Sequence, residues 1–305
     1  MQGKSIPIEV PIIVNLAGGK GGVGTSTITA NIAYALGEAG SGFGTIGVID
    51  LAYGANSTLS KLLGVPPLGT NGFWNYITAR YYPYQDSSPN ITPQLTQQIA
   101  LITSGTIEAH RIDWALSYVL SRMSNDPDQV GWALYNDIAE LIVNKLLIHK
   151  PSLVIIDVPS AIFKPLAWAV LMMSRIVNVV VKAGSTHQDE AMEVLGLVSA
   201  VINQRAQLGL AQPDVFLIVN QAFPGDNTAN ELKARGVPMR GTSVLPYSPA
   251  VHYITDYMKD LAVKYEVPQD KFFRQWRDTI LAIARNEYEV ARSARQGRGF
   301  FRLKS

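Results

Sequence analysis

The stretch IIVNLAGGKGGVGTSTITANIAYALGEAG, residues 12–40, decides the fold class of this chain. It opens with an apolar β-branched run, passes through a glycine-rich loop and continues into a segment in which Ile28, Ile32 and Leu36 recur at helical spacing. This order is typical of a phosphate-binding loop, because glycines allow successive backbone N–H groups to converge on an anion at the helix N-terminus. The stretch therefore predicts a phosphate site.

The loop departs at one position from the usual pattern G-x-x-x-x-G-K-[ST]. Gly19, Gly24 and Ser26 fit that pattern, whereas Thr25 stands where the lysine is expected. An ordinary glycine-rich turn is the alternative interpretation, but the placement of the glycines between an apolar strand and a helix favours a phosphate loop. The predicted nucleotide-binding residues of the loop are Gly19, Lys20, Gly21, Gly22, Val23, Gly24, Thr25, Ser26 and Thr27.

The rest of the chain continues the alternation of strand and helix. Short β-branched runs recur at residues 46–49, 153–156, 177–181 and 215–219, and helix-like segments separate most of them. Nearly continuous apolar strands are what a parallel sheet covered on both faces requires. The sequence therefore predicts an α/β fold with a doubly wound, mostly parallel sheet and helices on both faces.

Residues 10–265 are expected to form one nucleotide-binding domain. Within it, residues 64–128 are predicted to be a loop-rich insertion with short helices, because PP, YYPYQDSSPN and NDPD clusters interrupt the chain there. Weaker strand candidates lie at residues 101–102 and 243–245. Residues 266–305 are predicted to form a basic C-terminal helix and tail.

Composition excludes several classes of protein. The chain has 305 residues, of which 47% are hydrophobic and 16% charged. This composition is typical of a globular protein with a large hydrophobic core. The absence of cysteine excludes disulfides, thiolate zinc sites, Cys-ligated iron–sulfur clusters and cysteine nucleophiles. The four histidines have no metal-binding spacing. A net charge of +2 gives no whole-molecule field that would gather nucleic acid or anionic membrane.

Neither a signal peptide nor a membrane-spanning segment is expected. Pro7, Glu9 and Pro11 break the first apolar run, which removes the continuous core of a signal peptide. The longest uncharged stretch, residues 62–79, contains prolines and glycines that exclude a spanning helix. We therefore expect a cytoplasmic protein.

The segment Lys20-Gly21-Gly22-Val23-Gly24 resembles the deviant Walker A motif K-G-G-x-G-K-[ST] of the ParA/MinD family, which has the P-loop NTPase fold. The resemblance implies ATP and Mg²⁺ as cofactors and an ATP-sandwich homodimer. It also implies that Lys20 is a catalytic residue that reaches the nucleotide of the opposite subunit. A solvated loop lysine is the alternative.

Two carboxylates extend the resemblance. Asp50 opens DLAYGAN, similar to the family's D-x-D-x-x-x-N segment, which implies that Asp50 is catalytic and supports the magnesium shell, while Ala52 replaces the aspartate that orients the attacking water. LVIIDVP, residues 153–159, resembles the family's Walker B strand. Asp157 would then hold Mg²⁺ through water, with Ser26 as the direct hydroxyl ligand. Capping of the next turn is the alternative for Asp157.

Later motifs of the family supply candidate base contacts. LIVN, residues 217–220, matches a strand whose closing asparagine reads the adenine edge, which assigns that role to Asn220. LPYS, residues 245–248, resembles the base-packing loop and brings in Pro246. Turn chemistry is the alternative for Asn220. The resemblance covers residues 11–260, and zero cysteines exclude its iron–sulfur relatives.

Thr25 and Ala52 replace the groups most tied to hydrolysis, so hydrolysis is expected to be very slow or absent. Members of the family that lack this lysine include the TadZ and BcsQ proteins, which resemble nucleotide-dependent scaffolds. The resemblance therefore implies an ATP-binding, dimerising protein that positions or segregates cargo, either DNA or a membrane-associated machine. Its partner would be ParB-like or belong to a pilus or secretion system. The alternative is an active ParA-type partition ATPase.

The C-terminal segment is predicted to be a basic amphipathic helix over residues 270–293. Its predicted apolar face holds Phe272, Trp276, Ile280, Ile283 and Val290. The opposite face holds Lys271, Arg274, Arg277, Arg285, Arg292 and Arg295. This arginine stripe would bind DNA non-specifically through phosphates and place the protein on the nucleoid, or it would form only a solvated face. The tail GRGFFRLKS is either a membrane contact or a frayed end.

Overall fold

The structure is a computed structural model that describes residues 8–19, 21–38, 41–53, 57–65, 71–81, 91–122, 127–160, 162–184, 188–236 and 239–296. Lys20 and the tail GRGFFRLKS lie outside these residues. The roles predicted for them therefore stay predictions.

Eight strands and ten α-helices make up the described chain. The strands are β1 (Ile12–Ala17), β2 (Ile46–Asp50), β3 (Gln94–Thr96), β4 (Ile99–Ile102), β5 (Leu153–Val158), β6 (Ile176–Lys182), β7 (Asp214–Ala222) and β8 (Gly241–Pro246). The helices are α1 (Thr25–Gly37), α2 (Thr58–Leu62), α3 (Phe73–Tyr81), α4 (Ala109–Arg122), α5 (Pro127–Leu141), α6 (Lys164–Met173), α7 (Gln188–Gln207), α8 (Thr228–Ala234), α9 (Pro249–His252) and α10 (Lys271–Gln296).

All strands join one sheet in the order β3-β4-β2-β5-β1-β6-β7-β8. Every neighbouring pair is parallel except β3 and β4. The central strands are buried along their whole length, as their unbroken β-branched runs require. The predicted doubly wound, mostly parallel sheet is confirmed, and both weaker strand candidates are strands.

Helices cover both faces of the sheet. One core packs α3 to α8 against one face, and the other packs α1, α2 and α10 against the opposite face. Because the strands are parallel, their carboxyl ends and the loops that follow them meet at one edge, where ligands of open α/β sheets bind. This edge carries the glycine loop after β1.

Residues 64–128 hold more regular structure than the predicted loop-rich insertion. Their described part contains α3, α4 and two strands. β4 pairs with β2 in parallel register from Ile46↔Ile99 onward, so the segment extends the sheet. The physical reason is its buried apolar side chains, including the fully buried Phe73 and Trp74, which need a core to pack against.

Helix α10 is part of the same core, where it packs on α1 and β8. Four of the five side chains predicted for the apolar face are buried, namely Trp276, Ile280, Ile283 and Val290. At the start of the helix, however, Phe273 is fully buried, whereas Phe272 is 39% exposed. One residue rotates a helix by about 100°. Phe273 is the position that continues the i, i+3, i+4 series through Trp276 and Ile280, so Phe272 was wrongly placed on the buried face.

Candidate functional site

The glycine loop joins β1 to α1 in a shape that only glycine tolerates at two points. Gly22 has φ 88° and Gly24 has φ 90°, both in the left-handed region. Gly24 also caps α1, and a Cβ added there would lie 2.3 Å from Nδ2 of Asn220. The described loop residues from Gly21 onward and the N-terminus of the 13-residue helix α1 therefore lie at one cleft, where backbone N–H groups of a helix N-terminus can bind an anion.

The cleft has a volume of about 400 Å³ and two walls. The glycine loop and the start of α1 form one wall, and the ends of β7 and β8 with α9 form the other. The described residues predicted from the loop motif line the first wall, except Gly19. Both walls together include Gly21, Gly22, Val23, Gly24, Thr25, Ser26, Thr27, Asn220, Gln221, Pro246, Tyr247, Ser248, Val251, His252 and Thr255. The fold thus brings the predicted phosphate and base residues to one place.

The described lining of the cleft contains no lysine or arginine. Its histidine, His252, lies 2.5 Å from the carboxylate of Asp256. Thr25, at the position of the expected lysine, is 5% exposed, and its buried Oγ1 has no hydrogen-bond partner in the described chain. Attraction for an anion from these residues therefore comes from backbone N–H groups and hydroxyls rather than from an ammonium group.

Ser26 and Asp157 form the pair that suits a magnesium ion. Oγ of Ser26 donates a hydrogen bond to Oδ2 of Asp157 at 2.6 Å, and Oγ1 of Thr29 donates to Oδ1 at 2.8 Å. Burial, and next the neighbouring Asp50, raise the pKa of Asp157 to about 7, while the two hydroxyl bonds lower it. A cation beside Ser26 would relieve this repulsion, and hydroxyl and carboxylate oxygens are the ligands that Mg²⁺ prefers.

The described residues offer no cluster of three Asp, Glu or His side chains around a point. A magnesium ion would therefore be held by the hydroxyl of Ser26, by phosphate oxygens of a nucleotide, and by water oriented by Asp157. That donor set is the usual one for Mg²⁺ beside phosphates. The residues present therefore suit a magnesium ion that is bound together with a nucleotide.

Asp50 is the register neighbour of Asp157 across β2 and β5, and it is fully buried. Oδ1 accepts a hydrogen bond from the N–H of Ala52 at 2.9 Å, and Oδ2 accepts from the hydroxyls of Ser57 and Ser60. Burial raises its pKa. The carboxylate thus ties the end of β2 to the start of α2, and its predicted catalytic and magnesium-shell roles stay predictions.

The backbone of Ala52 is fixed by a hydrogen bond from a neighbouring side chain. Nε1 of the buried Trp74 donates to the carbonyl of Ala52 at 2.9 Å, and the ring of Trp74 stacks on Tyr53 with centroids 4.9 Å apart. Motif reasoning missed Ser57, Ser60 and Trp74 because they belong to no family pattern. The N-cap signal of Ser57 directly before the helical residues of α2 was available in the sequence.

Asn220 has a contact that the sequence does not predict. Its Nδ2 donates to the carbonyl of Val23 at 2.9 Å, so it braces the glycine loop. The next residue, Gln221, has φ 58° at an irregularity in β7 and also lines the cleft. The adenine contact of Asn220 and the base packing of Pro246 stay predictions.

Not every side chain of the predicted arginine stripe is exposed in the structure. Arg274, Arg285 and Arg292 are exposed. Nε of the half-buried Arg277 donates to the carbonyl of Val263 at 3.1 Å, which fixes it against the body of the domain. The side chain of Arg295 lies outside the described residues.

No protein-family model matches the sequence, and no curated protein matches it. Solved structures do match. The chain is similar to MinD from Pyrococcus horikoshii complexed with Mg-ADP at 21% identity and a TM-score of 0.61, over 91% of this chain and 95% of that one. A ParA family ATPase from Chlorobium tepidum matches at 16% identity and TM-score 0.56, over 90% and 98%. A McdA–ATP complex from Cyanothece matches at 15% and 0.56, over 97% and 99%.

These likenesses show the fold. The chain has the eight-stranded, mostly parallel architecture of MinD and ParA ATPases, as the motifs predicted. In the part of the chain that the structure describes, every helix is too short or too polar to cross a bilayer.

Proposed function

We propose that the chain binds Mg-ATP in the cleft of the glycine loop and acts as a ParA/MinD-like, ATP-dependent homodimer that positions or segregates cargo. The observation that carries this proposal is the Ser26–Asp157 hydrogen bond of 2.6 Å at the start of α1. It places a hydroxyl and a carboxylate beside the glycine loop at the N-terminus of α1, the kind of site that binds phosphate and Mg²⁺. The structural neighbours that contain Mg-ADP or ATP support the choice of ligand.

Hydrolysis by this site is weak or absent. Thr25 stands at the position of the P-loop lysine, and its hydroxyl is buried. Ala52 stands at the position of the water-orienting aspartate. The described lining of the cleft has no lysine or arginine. A preorganised group that stabilises charge in a transition state contributes about 2.7–4 kcal/mol. A nucleotide can still be held by backbone N–H groups, which need neither side chain.

ATP binding is tested by calorimetry on the wild type and two glycine variants. The wild type should bind ATP with Mg²⁺ with a dissociation constant of about 1 mM or lower. Gly24→Ala should weaken binding about tenfold or more, because alanine is strained at φ 90° and its Cβ would meet Asn220. The control is Gly196→Ala on the surface of α7, where an added Cβ meets no atom within 4 Å. Failure of ATP, ADP and GTP to bind the wild type would contradict the proposal.

The second candidate function is an active partition ATPase that binds DNA non-specifically, and the exposed Arg274, Arg285 and Arg292 favour it. Its cargo would be plasmid or chromosomal DNA with a ParB-like partner. The scaffold function would instead use a pilus or secretion partner. In both cases the protein would work in the cytoplasm, at the nucleoid or beside the membrane.

DNA binding by the arginine stripe predicts a steep salt dependence. Arg285→Glu with Arg292→Glu should weaken binding to DNA of any sequence and reduce the slope of log affinity against log salt by about 2, since two phosphate contacts are lost. The matched control reverses two exposed charges on helices of the other sheet face, Arg111 and Lys233. Fluorescence anisotropy at several salt concentrations measures this. A flat salt response of the wild type would leave only the solvated-face interpretation.

A further inference from the structure

A continuous chain of buried polar side chains runs from α10 to the candidate magnesium site. Its members are Glu287, Asn178, Asn15, Thr29 and Asp157, and each is at most 1% exposed. Asn178, Asn15 and Asp157 are register neighbours on β6, β1 and β5, so they lie side by side across one face of the sheet. Glu287 of α10 and Thr29 of α1 cover them from above.

Each link of the chain is a hydrogen bond. Nδ2 of Asn178 donates to Oε1 of Glu287 at 2.5 Å and to Oδ1 of Asn15 at 2.7 Å. Nδ2 of Asn15 donates to Oγ1 of Thr29 at 3.0 Å, and that hydroxyl donates to Oδ1 of Asp157 at 2.8 Å. Both hydrogens of the Asn178 amide are therefore used, one for each neighbour. From Asn178 the donors point in both directions, to Glu287 at one end and through Asn15 and Thr29 to Asp157 at the other.

Packing gives no reason for a carboxyl at position 287. The rest of the buried face of α10 is apolar, with Phe273, Trp276 and Ile280 among its side chains. Oε2 of Glu287 is buried and has no hydrogen-bond partner in the described chain, which destabilises the fold. Burial also raises the pKa of Glu287 to about 8. An apolar residue would pack there at lower cost, so the carboxyl is explained better by the contact that it makes with Asn178.

We propose that Glu287, Asn178 and Asn15 are positioning residues. Through them, the packing of α10 against the sheet would control the orientation of Asp157. The proposal rests on the proposed Mg-ATP function. When α10 packs in its place, Glu287 orients the amide of Asn178, and Asn178 orients Asn15. Asn15 in turn holds the hydroxyl of Thr29 on Asp157. Groups behind metal ligands that orient them in this way change metal affinity about 10–100-fold when they are removed. The outer surface of α10 would thereby be linked to magnesium at the nucleotide.

The experiment measures ATP binding as a function of Mg²⁺ concentration in Glu287→Leu and Glu287→Gln. Leucine removes the acceptor for Asn178, whereas glutamine keeps it and has the shape of the protonated carboxyl. Glu287→Leu should raise the half-saturating Mg²⁺ concentration about tenfold, with ATP affinity in EDTA unchanged within about twofold, and Glu287→Gln should match the wild type. Ile283→Ala is the control, because it removes a buried apolar side chain from the same helix and none of the hydrogen bonds that link the five polar residues.

A second readout needs no nucleotide. In ¹⁵N spectra of the nucleotide-free protein, Glu287→Leu should shift the side-chain amide resonances of both Asn178 and Asn15, and Ile283→Ala should shift neither to a similar degree. If the wild type bound no ATP while these shifts occurred, the proposed function would fail and the coupling along the chain would stand.

An unchanged Mg²⁺ midpoint in folded Glu287→Leu would overturn the proposal, as would equal shifts in the leucine, glutamine and Ile283→Ala variants. If Glu287→Leu does not fold, Thr29→Val and Thr29→Ser form the second pair. Valine breaks the last link and serine keeps it, so identical Mg²⁺ midpoints in that pair would also overturn the proposal.

Discussion

ATP hydrolysis should rise about 10²–10³-fold when Thr25→Lys and Ala52→Asp are combined, because the double variant restores the charge on the phosphates and the carboxylate that orients water. Thr25 lines the cleft, so a lysine there has about 400 Å³ into which it can extend. Ala52 is half-buried with its backbone held by Trp74, so an aspartate would start from a fixed main chain. Single-turnover phosphate release measures the gain.

The two groups act on one transition state, so each single variant should recover little and the double variant more than the sum of both. Thr25→Met with Ala52→Asn is the matched control, since it adds similar side-chain volume without charge. ATP affinity is measured in every variant to separate binding from chemistry. Wild-type turnover of about 1 s⁻¹ or faster would contradict the scaffold interpretation, and no gain in the double variant would show that the water position is built differently.

The fold could be predicted because its decisive signals are local. Each central strand is a run of β-branched residues buried on both faces, and the glycine loop sits between the first strand and a helix. The segment 64–128 was predicted less well, since turn-rich clusters hide the short strand of residues 99–102, whose pairing with β2 is a long-range contact. Phe272 and Phe273 are adjacent aromatic residues, and a helical wheel alone does not decide which of the two is buried. The neighbouring elements that pack against the helix decide it.

The candidate site was predictable where one motif supplies neighbouring residues. Gly21 to Thr27, Asn220 and Pro246 do line one cleft, but the partners that fix them come from elsewhere in the chain. Trp74 holds position 52 from 22 residues away, and Asn178 reaches Glu287 across 109 residues. Such pairings depend on which strands and helices become neighbours in the fold, and local sequence patterns do not reveal these long-range contacts.

Lys20→Ala should weaken ATP-dependent dimerisation about 30-fold or more, because removal of one partner of a desolvated charge pair costs about 2–5 kcal/mol. The described lining of the cleft has no lysine or arginine. In an ATP sandwich two Mg-ATP complexes, each still with a net negative charge, would face each other. Backbone N–H groups carry only partial charges, so a further full positive charge is needed to offset the remaining repulsion. Lys20 is the lysine within the glycine loop itself.

Light scattering with a non-hydrolysable ATP analogue measures the dimer, and calorimetry below the dimerisation concentration measures monomer affinity. If Lys20 acts across the interface, monomer affinity should change far less than dimerisation, because its charge is then placed on the partner's phosphates. The control is Lys233→Ala, an exposed lysine on α8 on the other face of the sheet. A loss of monomer affinity that accounts for the whole loss of dimer would show that Lys20 serves its own nucleotide. Equal dimerisation of wild type and Lys20→Ala would mean that another cation neutralises the nucleotides of the sandwich, and it would contradict the role that the glycine-loop motif implies for Lys20.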